Sequence, residues 1–233
     1  TPTLSSAASD VYKRQKQLSP IMVCEFMLIP RRDGAEIDSP LELLPLPNGT
    51  WDGKIAYLDR DGVLNVGSEN YINSPEELVV FPNTADSVAA LRESGFRVCV
   101  VTNQSPVGRG LWSDENLHSI HKKLRELLLS ENSNAHLDLI LYSPYAPWEG
   151  AWARKPNPGM LEAARQIISA SEKNIEIKLR FDNDWHGNHD ESKSIMVGDR
   201  DVDMGAASNF GVKGIRCNPE IGIYDVISEI LGD

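Results

Sequence analysis

Two aspartates, Asp59 and Asp61, stand one residue apart directly after the apolar run Ile55–Leu58. Carboxylates at the end of a buried strand cost free energy unless a nearby charge compensates them, and a divalent cation is a suitable partner. A carboxylate held beside a cation can attack phosphorus, and a second carboxyl group can act as general acid and base. The pattern therefore predicts Asp59 as nucleophile and Asp61 as acid/base. The alternative is a strand-to-loop junction with two solvated acids.

A second motif contains hydroxyl and amide side chains that follow another apolar run. Its residues are Thr102, Asn103, Gln104 and Ser105, with the cation Arg109 a few positions later. Such side chains, together with backbone N–H groups, offer hydrogen bonds to phosphate oxygens. The motif predicts a phosphate-binding loop, and the alternative is an ordinary polar turn.

A third motif places two adjacent cations, Arg154 and Lys155, before a proline-rich helix start. Lys155 could neutralise both a phosphate and the attacking carboxylate. Arg154 could bind a second anionic group of the substrate in a forked contact, which the planar guanidinium favours. The alternative is a pair of solvated surface cations.

The fourth motif is again an apolar run that ends in acids, Asp199 and Asp203. We expect Asp199 to be a metal ligand opposite Asp59. Asp203 lies one helical turn further on, where it could bind the metal directly, bind it through water, or orient Lys155. Acids also stabilise a helix N-terminus through the helix dipole, and this is the preferred interpretation for the intervening Asp201.

Short β-rich runs alternate with amphipathic stretches along most of the chain. The predicted strands cover residues 55–58, 96–101, 137–142, 194–197 and 214–217. The predicted helices cover residues 83–94, 113–129, 158–169, 201–209 and 224–231. This alternation predicts an α/β fold with a parallel sheet covered on both faces, in which ligands bind at the carboxyl ends of the strands. All four motifs lie at or near such ends.

The four motifs, in this order, resemble those of the haloacid dehalogenase (HAD) superfamily, whose phosphatases use Mg²⁺ and an aspartyl-phosphate intermediate. The resemblance covers roughly residues 54–218. It implies a Rossmann-like three-layer fold with a central parallel sheet and no cap or a minimal cap. It also implies that Asp59 is nucleophile and metal ligand, and that Asp61 is acid/base and lends its backbone carbonyl to the metal. Thr102 and Lys155 would bind the phosphoryl group, and Asp199 would complete the metal site.

Finer resemblance is to the branch of D-glycero-D-manno-heptose 1,7-bisphosphate phosphatases and histidinol-phosphate phosphatases. It implies substrate contacts from Thr102–Ser105 and Arg154, and a small phosphorylated metabolite, a sugar phosphate or bisphosphate, as substrate. Polynucleotide 3′-phosphatases share a similar pattern, but the net charge of −11 argues against nucleic-acid binding. A catalytically silent binding module is a further alternative, against which the intact set of acids and Lys155 argues.

The chain departs from that branch at the zinc loop. Where relatives carry Cys-x-His and then Cys-x-Cys, this sequence has Tyr142-Ser-Pro144 and Ala151-Trp-Ala153. None of these side chains supplies an imidazole or thiolate, so no zinc is expected. Trp148 and Trp152 could stack on a sugar or base, or could form a packed cluster that replaces the zinc.

The 233 residues and the apolar fraction of 41% suit one main domain. We divide the chain into residues 1–16, disordered or not native, residues 17–53, an extension of unknown role, and residues 54–233, the phosphatase domain. Residues 66–81 could form a flap over the site, and residues 174–193 an exposed insertion. Three cysteines and the lack of a long apolar run predict a cytoplasmic protein without a membrane partner, as a monomer or small homo-oligomer.

Overall fold

The structure is a computed structural model that describes residues 25–27, 36–37, 40–181, 185 and 189–232. Its strands are β1 Glu25–Met27, β2 Glu36–Ile37, β3 Ile55–Leu58, β4 Arg97–Asn103, β5 Leu139–Ser143, β6 Ile177–Lys178, β7 Ile195–Gly198 and β8 Lys213–Arg216. Its α-helices are α1 Thr84–Glu93, α2 Ser105–Gly108, α3 Asp114–Glu131, α4 Gly159–Glu172, α5 Asp201–Phe210 and α6 Ile227–Leu231.

The central sheet has six strands in the order β1-β5-β4-β3-β7-β8, and every pairing in it is parallel. A separate antiparallel pair joins β2 to β6. The predicted α/β fold with a central parallel sheet is therefore confirmed. The strand order reverses on the two sides of β3, which is the position where ligands bind in open α/β sheets.

Alternate residues of each strand point to opposite sides of the sheet, and helices cover both faces. One face packs on α1 and α3 and includes Ala56, Leu58, Val98, Val100, Leu91 and Leu124. The other face packs on α4 and α5 and includes Ile55, Tyr57, Cys99, Val101, Ile167 and Phe210. These two clusters give the predicted three-layer arrangement.

The helix boundaries follow local signals that are visible in the sequence. Ser113 precedes α3, and its side-chain oxygen accepts a hydrogen bond from the Asn116 N–H at 3.3 Å. Gly95 follows α1 with a φ of +88°, a conformation that glycine adopts readily. The helix predicted over residues 224–231 is divided in two. A 3₁₀ turn at Gly222–Asp225 precedes α6, because Val226 between them leaves the helical conformation.

Parts of the predicted N-terminal extension contact the sheet. Strand β1 pairs with β5 at the sheet edge. The carbonyl groups of Leu44 and Pro45 accept hydrogen bonds from Arg97 at 2.6 Å and Arg92 at 3.2 Å. The domain boundary at residue 54 stays a prediction, and residues 1–16 lie outside the described part of the chain.

Two loops that the sequence singles out differ in character. Residues 66–81, which we call the flap, contain one 3₁₀ turn at Pro75–Glu77, and the described chain has no cap domain inserted there. The prediction of an exposed loop within residues 174–193 is wrong for part of it. Phe181 and Glu191 are buried, and Trp185 stacks on His189 with ring centroids 4.2 Å apart. Residues 182–184 and 186–188 lie outside the description.

None of the helices described here is long and apolar enough to cross a membrane.

Candidate active site

Asp59 lies just beyond the end of β3, fully buried, where its own N–H donates to the Val197 carbonyl at 3.0 Å. Its Oδ1 accepts a hydrogen bond from the Arg60 N–H at 2.7 Å and lies 2.9 Å from Lys155 Nζ. Its Oδ2 lies 3.2 Å from Arg200 Nη2. Burial by itself raises the pKa of Asp59, but the charges of Lys155 and Arg200 outweigh it and hold the pKa below its ordinary value. The carboxylate is therefore kept ionised.

Asp61 is partly buried and is held by side chains of its own loop and of the second motif. Arg60 donates to it from Nε at 3.1 Å and from Nη2 at 3.0 Å. Asn65 Nδ2 lies 2.9 Å from Oδ1, and Gln104 Nε2 lies 3.1 Å from Oδ2. Arg60, whose side chain is fully buried, was not among the predicted site residues. Its place between the two acids is the signal that could have found it.

Gly62 allows the loop after β3 to approach the fourth motif. Its φ is +79°, and a Cβ at this position would lie 2.6 Å from Asp199 Cγ. Both the backbone conformation and the close approach require glycine here. The first and fourth motifs, far apart in sequence, therefore come together at the carboxyl edge of the sheet.

Lys155 connects the nucleophile candidate to the acid of α5. Its Nζ lies 2.9 Å from Asp59 Oδ1 and 2.6 Å from Asp203 Oδ1, and all three side chains are fully buried. Burial lowers the pKa of Lys155, but the charges of Asp59 and Asp203 outweigh this and raise it above its ordinary value. Among the roles considered for Asp203, orienting Lys155 is the one that these contacts support.

Asp59, Asp199 and Asp203 each offer a carboxylate oxygen, and these atoms lie within 4.8 Å of one another. Asp199 Oδ1 is buried and accepts no hydrogen bond from the described residues, while its ion pair with Arg200 Nε spans 3.6 Å. Burial and the neighbouring Asp59 charge raise the pKa of Asp199. Clustered carboxylate oxygens, one of them without a hydrogen bond from the described residues, suit a divalent cation, so this cluster could bind a metal. The carboxylate of Asp61 is not in the cluster.

The side chains of the second motif bond to two different parts of the site, the Asp61 carboxylate and the Lys155 backbone. Gln104 Nε2 donates both to Asp61 and to Thr102 Oγ1, the latter at 3.0 Å, so Thr102 and Gln104 lie beside the acid/base candidate. The Asn103 side chain instead bonds to the backbone of Lys155. Ser105 is buried at the start of α2.

The two predicted substrate-binding arginines lie further out. Arg109 is exposed, donates to the Tyr71 hydroxyl at 3.0 Å, and lies over the Trp148 ring at 5.9 Å. Arg154 is partly buried and donates to the Tyr145 carbonyl at 2.7 Å. Burial and the charge of Arg200 lower the pKa of Arg154. These contacts do not bring either guanidinium onto the carboxylate cluster. Arg200 itself was not predicted, although it directly follows a predicted metal ligand.

A groove of about 720 Å³ lies between the flap and the start of α3. Its lining residues are Glu69, Asn70, Tyr71, Asn73, Leu111, Trp112 and Asn116. Trp112 Nε1 donates to Asn73 Oδ1 at 3.0 Å, and Asn116 Nδ2 donates to the Asn73 carbonyl at 2.8 Å. These bonds attach the flap to the body of the domain, with Arg109 beside the groove.

The two tryptophans of the modified loop have different environments. Trp152 packs against the core of the α4 face, and its Nε1 donates to Glu162 Oε2 at 2.6 Å. Trp148 is 76% exposed. Packing in place of a metal therefore describes Trp152 and not Trp148.

The fold and these contacts define a class of protein. It is a Rossmann-like α/β protein that gathers a buried aspartate, a lysine and an acidic cluster at the carboxyl edge of its sheet. A family model described as HAD-hydrolase-like matches residues 152–217 of the chain.

Curated relatives specify the family. The D-glycero-beta-D-manno-heptose-1,7-bisphosphate 7-phosphatase of Pseudomonas putida is 42% identical over 110 residues, 47% of this chain and 62% of that protein. The chain thus spans about three fifths of that relative's length. The D-glycero-D-manno-heptose-1,7-bisphosphate 7-phosphatase of Thermosynechococcus vestitus is 35% identical over 178 residues, 71% of this chain and 79% of that protein.

Among solved structures, a D,D-heptose 1,7-bisphosphate phosphatase from B. bronchiseptica, complexed with magnesium and phosphate, matches with a TM-score of 0.61. It is 26% identical, and the match covers 77% of this chain and 98% of that one. The chain belongs to the HAD superfamily, in the branch that contains the heptose-bisphosphate phosphatases.

Proposed function

We propose that the chain is a Mg²⁺-dependent phosphatase that hydrolyses a small phosphomonoester, a sugar phosphate or bisphosphate, through an aspartyl-phosphate on Asp59. The observation that carries the proposal is the buried contact of Asp59 with Lys155 at 2.9 Å, beside the cluster of Asp59, Asp199 and Asp203. The names of the relatives, heptose-1,7-bisphosphate 7-phosphatases, support the substrate class.

In this reaction Asp59 attacks phosphorus and the bond to the leaving oxygen breaks. Its lowered pKa keeps it ionised for the attack. Asp61 donates a proton to the leaving alkoxide, then takes one from the water that hydrolyses the acyl phosphate. Arg60 and Gln104 hold the Asp61 carboxyl group in position for both transfers.

Lys155 and Thr102 bind the phosphoryl oxygens and stabilise the charge that develops on them. Asp203 keeps Lys155 charged and aimed at the nucleophile, with 2.6 Å between Nζ and Oδ1. In this proposal Gln104, Ser105, Arg109 and Arg154 complete the substrate site.

The carboxylates of Asp59 and Asp199 and the backbone carbonyl of Asp61 would hold Mg²⁺. When bound, the cation supplies positive charge that neutralises the phosphate and the nucleophile together. No zinc is expected, because the loop from Tyr142 to Ala153 contains no histidine or cysteine.

The proposed substrate is a small phosphorylated metabolite, and neither nucleic acid nor a membrane is a partner. The groove beside Arg109 has the volume and the amide and aromatic lining to accept a polyol. We further propose that residues 54–233 form the phosphatase domain, active in the cytoplasm as a monomer or small homo-oligomer.

A substrate panel tests the proposal. Phosphate release from p-nitrophenyl phosphate is measured with Mg²⁺ and with EDTA. The panel then compares kcat/KM for a heptose 1,7-bisphosphate, histidinol phosphate and a 3′-phosphorylated oligonucleotide. We expect Mg²⁺-dependent release and the highest kcat/KM for the sugar bisphosphate. Preference for the oligonucleotide would replace the substrate class, and no release from any compound would leave a non-catalytic binding module.

A further inference from the structure

We propose that Asn103 is a positioning residue, which fixes the backbone of Lys155 and so places the Lys155 ammonium group against Asp59. This inference rests on the proposed function and assigns Asn103 a role other than contact with substrate. It rests on three features of the structure: the bonds that Asn103 makes, the burial of Lys155, and the anchors of the loop around Lys155.

The side-chain amide of Asn103 bonds to the backbone of Lys155 through both its nitrogen and its oxygen. Its Nδ2 donates to the Lys155 carbonyl at 3.1 Å, and its Oδ1 accepts from the Lys155 N–H at 3.1 Å. The two bonds have complementary donors and acceptors, so the orientation of the amide is fixed. Asn103 is the last residue of β4 and pairs in register with Ser143 of β5. The clamp, as we call the two bonds between Asn103 and Lys155, is therefore attached to a central strand of the sheet.

From this fixed point the Lys155 side chain is fully buried and reaches two carboxylates. Its Nζ lies 2.9 Å from Asp59 Oδ1 and 2.6 Å from Asp203 Oδ1. Charge-assisted contacts this short lose energy quickly when one partner moves. A shift of the Lys155 backbone therefore changes the contact with the nucleophile directly.

Other bonds hold the same loop on either side of the clamp. Before it, Trp152 Nε1 donates to Glu162 Oε2 of α4 at 2.6 Å. After it, Asn209 of α5 donates from Nδ2 to the Pro156 carbonyl at 2.9 Å. Asn103 differs from these anchors because it bonds to the peptide of Lys155 itself and connects it to the strand that carries Thr102.

The test is a double-mutant cycle with Asn103→Ala and Lys155→Ala. It is measured both as kcat/KM and as the affinity for inorganic phosphate in the presence of Mg²⁺, which needs no turnover. We expect Asn103→Ala to lower kcat/KM about 10- to 100-fold in the wild-type background, the loss that a misplacement near 1 Å produces. In the Lys155→Ala background, the same change should lower phosphate affinity less than about twofold, because the residue it positions is gone.

A direct substrate contact predicts a different result. The phosphate affinity would then fall by the same factor in both backgrounds, which overturns the positioning role.

Asn209→Ala is the matched control, because it also removes an asparagine bond to the backbone of this loop. We expect it to change kcat/KM less than about threefold, since its partner is Pro156 and not Lys155. A wild-type protein that neither hydrolyses nor binds phosphate overturns the proposed function together with this inference. An active wild type with Asn103→Ala unchanged overturns the positioning role alone.

Discussion

We call the two sides of the central sheet where its strands begin and end the amino edge and the carboxyl edge. Buried carboxylates at these two edges differ in how completely they are paired. At the amino edge, Asp138 precedes β5 and is buried between two arginines. Arg92 Nη1 lies 2.7 Å from it and Arg97 Nη1 2.8 Å, and the Val98 N–H donates to its Oδ2 at 2.8 Å. At the carboxyl edge, Asp199 Oδ1 is buried and, among the described residues, has a 3.6 Å ion pair to Arg200 but no hydrogen bond.

Glu191 repeats the amino-edge pattern. Arg165 binds it through Nε at 2.6 Å and Nη2 at 2.7 Å, and the Tyr57 hydroxyl donates to it at 3.2 Å. Arg165 also donates to the Gly53 carbonyl at 2.7 Å, so this network holds the chain before β3. Asp138 and Glu191 are thus both saturated by fixed donors.

Because of this difference, we expect the amino edge to contribute to stability and the carboxyl edge to contribute to catalysis. Saturated ion pairs resist change, and removing one partner leaves an uncompensated buried charge. At the carboxyl edge, the three clustered carboxylates share one lysine and an Arg200 side chain that is 52% exposed. Such a site can accept an added cation and a phosphate without breaking a complete network. We therefore expect changes at the carboxyl edge to affect turnover, and changes at the amino edge to affect unfolding.

The largest expected effect is that of Asp59→Asn on turnover. The amide is a much weaker nucleophile, so kcat should fall about 1000-fold or more. The fold should remain, because Lys155 keeps Asp203 as its partner and one of the crowded carboxylates is gone. Steady-state kinetics and thermal unfolding of the same preparation check both statements.

Asp201→Asn is the matched control for that variant. Asp201 lies in the fourth motif but is exposed and pairs with Arg216, so kcat should change little. Substantial hydrolysis by Asp59→Asn, with mass spectrometry showing no deamidation to aspartate, would exclude Asp59 as the nucleophile.

Asp138→Ala should show the reverse behaviour. The change leaves Arg92 and Arg97 without their shared buried partner, and we expect a loss of about 3–5 kcal/mol in the free energy of unfolding. Urea unfolding measures the loss, and kcat per folded molecule should stay within about twofold. Asp52→Ala is the control, because its ion pair with Lys193 is exposed and worth less than about 1 kcal/mol. Equal losses for the two variants would contradict the contrast between the edges.

The sequence predicts the carboxyl edge better than the amino edge. Asp59 and Asp199 were predicted as site residues because acids after apolar runs mark the ends of parallel strands, and Lys155 because two adjacent cations precede a helix start. Asp138 and Glu191 lie before strands, and their partners Arg92 and Arg165 lie on helices far away in sequence. No local pattern reports such pairings, since only the packed fold brings them together. The strand β1 was missed for a related reason: three residues at a sheet edge carry almost no periodicity.

Within the candidate active site, the sequence likewise does not show which group each side chain bonds to. The second motif predicted phosphate contacts for four consecutive residues, whereas Asn103 bonds to the Lys155 backbone and Gln104 to Asp61. Residue types indicate which hydrogen bonds are possible, but the direction of each side chain depends on the neighbouring strand and loop.

Metal removal should have an intermediate effect that is confined to the carboxyl edge. Mg²⁺ at 100 times its dissociation constant should stabilise the protein by about 2.7 kcal/mol relative to EDTA, because it would bind the folded site and not the unfolded chain. Thermal unfolding with and without Mg²⁺ measures this gain. Asp199→Asn should abolish most of the gain, and Asp201→Asn should keep it. A gain that survives Asp199→Asn would place the cation elsewhere.

The smallest effect tests whether β3 transmits changes from one edge to the other. Tyr57 donates to Glu191 at the amino edge, and Asp59 follows two residues later at the carboxyl edge. Burial and the Glu191 charge raise the pKa of Tyr57, so the hydroxyl stays protonated and able to donate. Tyr57→Phe removes this bond but keeps the ring, which packs edge-on against Phe210 at 5.8 Å.

Because Arg165 still binds Glu191 at 2.6 Å, we expect Tyr57→Phe to lose only about 1–2 kcal/mol in the free energy of unfolding. kcat and KM should stay within about twofold of wild type, since the Asp59 backbone remains paired with Val197. A fall in kcat larger than the loss of folded protein would mean that the edges are coupled through this strand, and the separation of stability from chemistry would not hold.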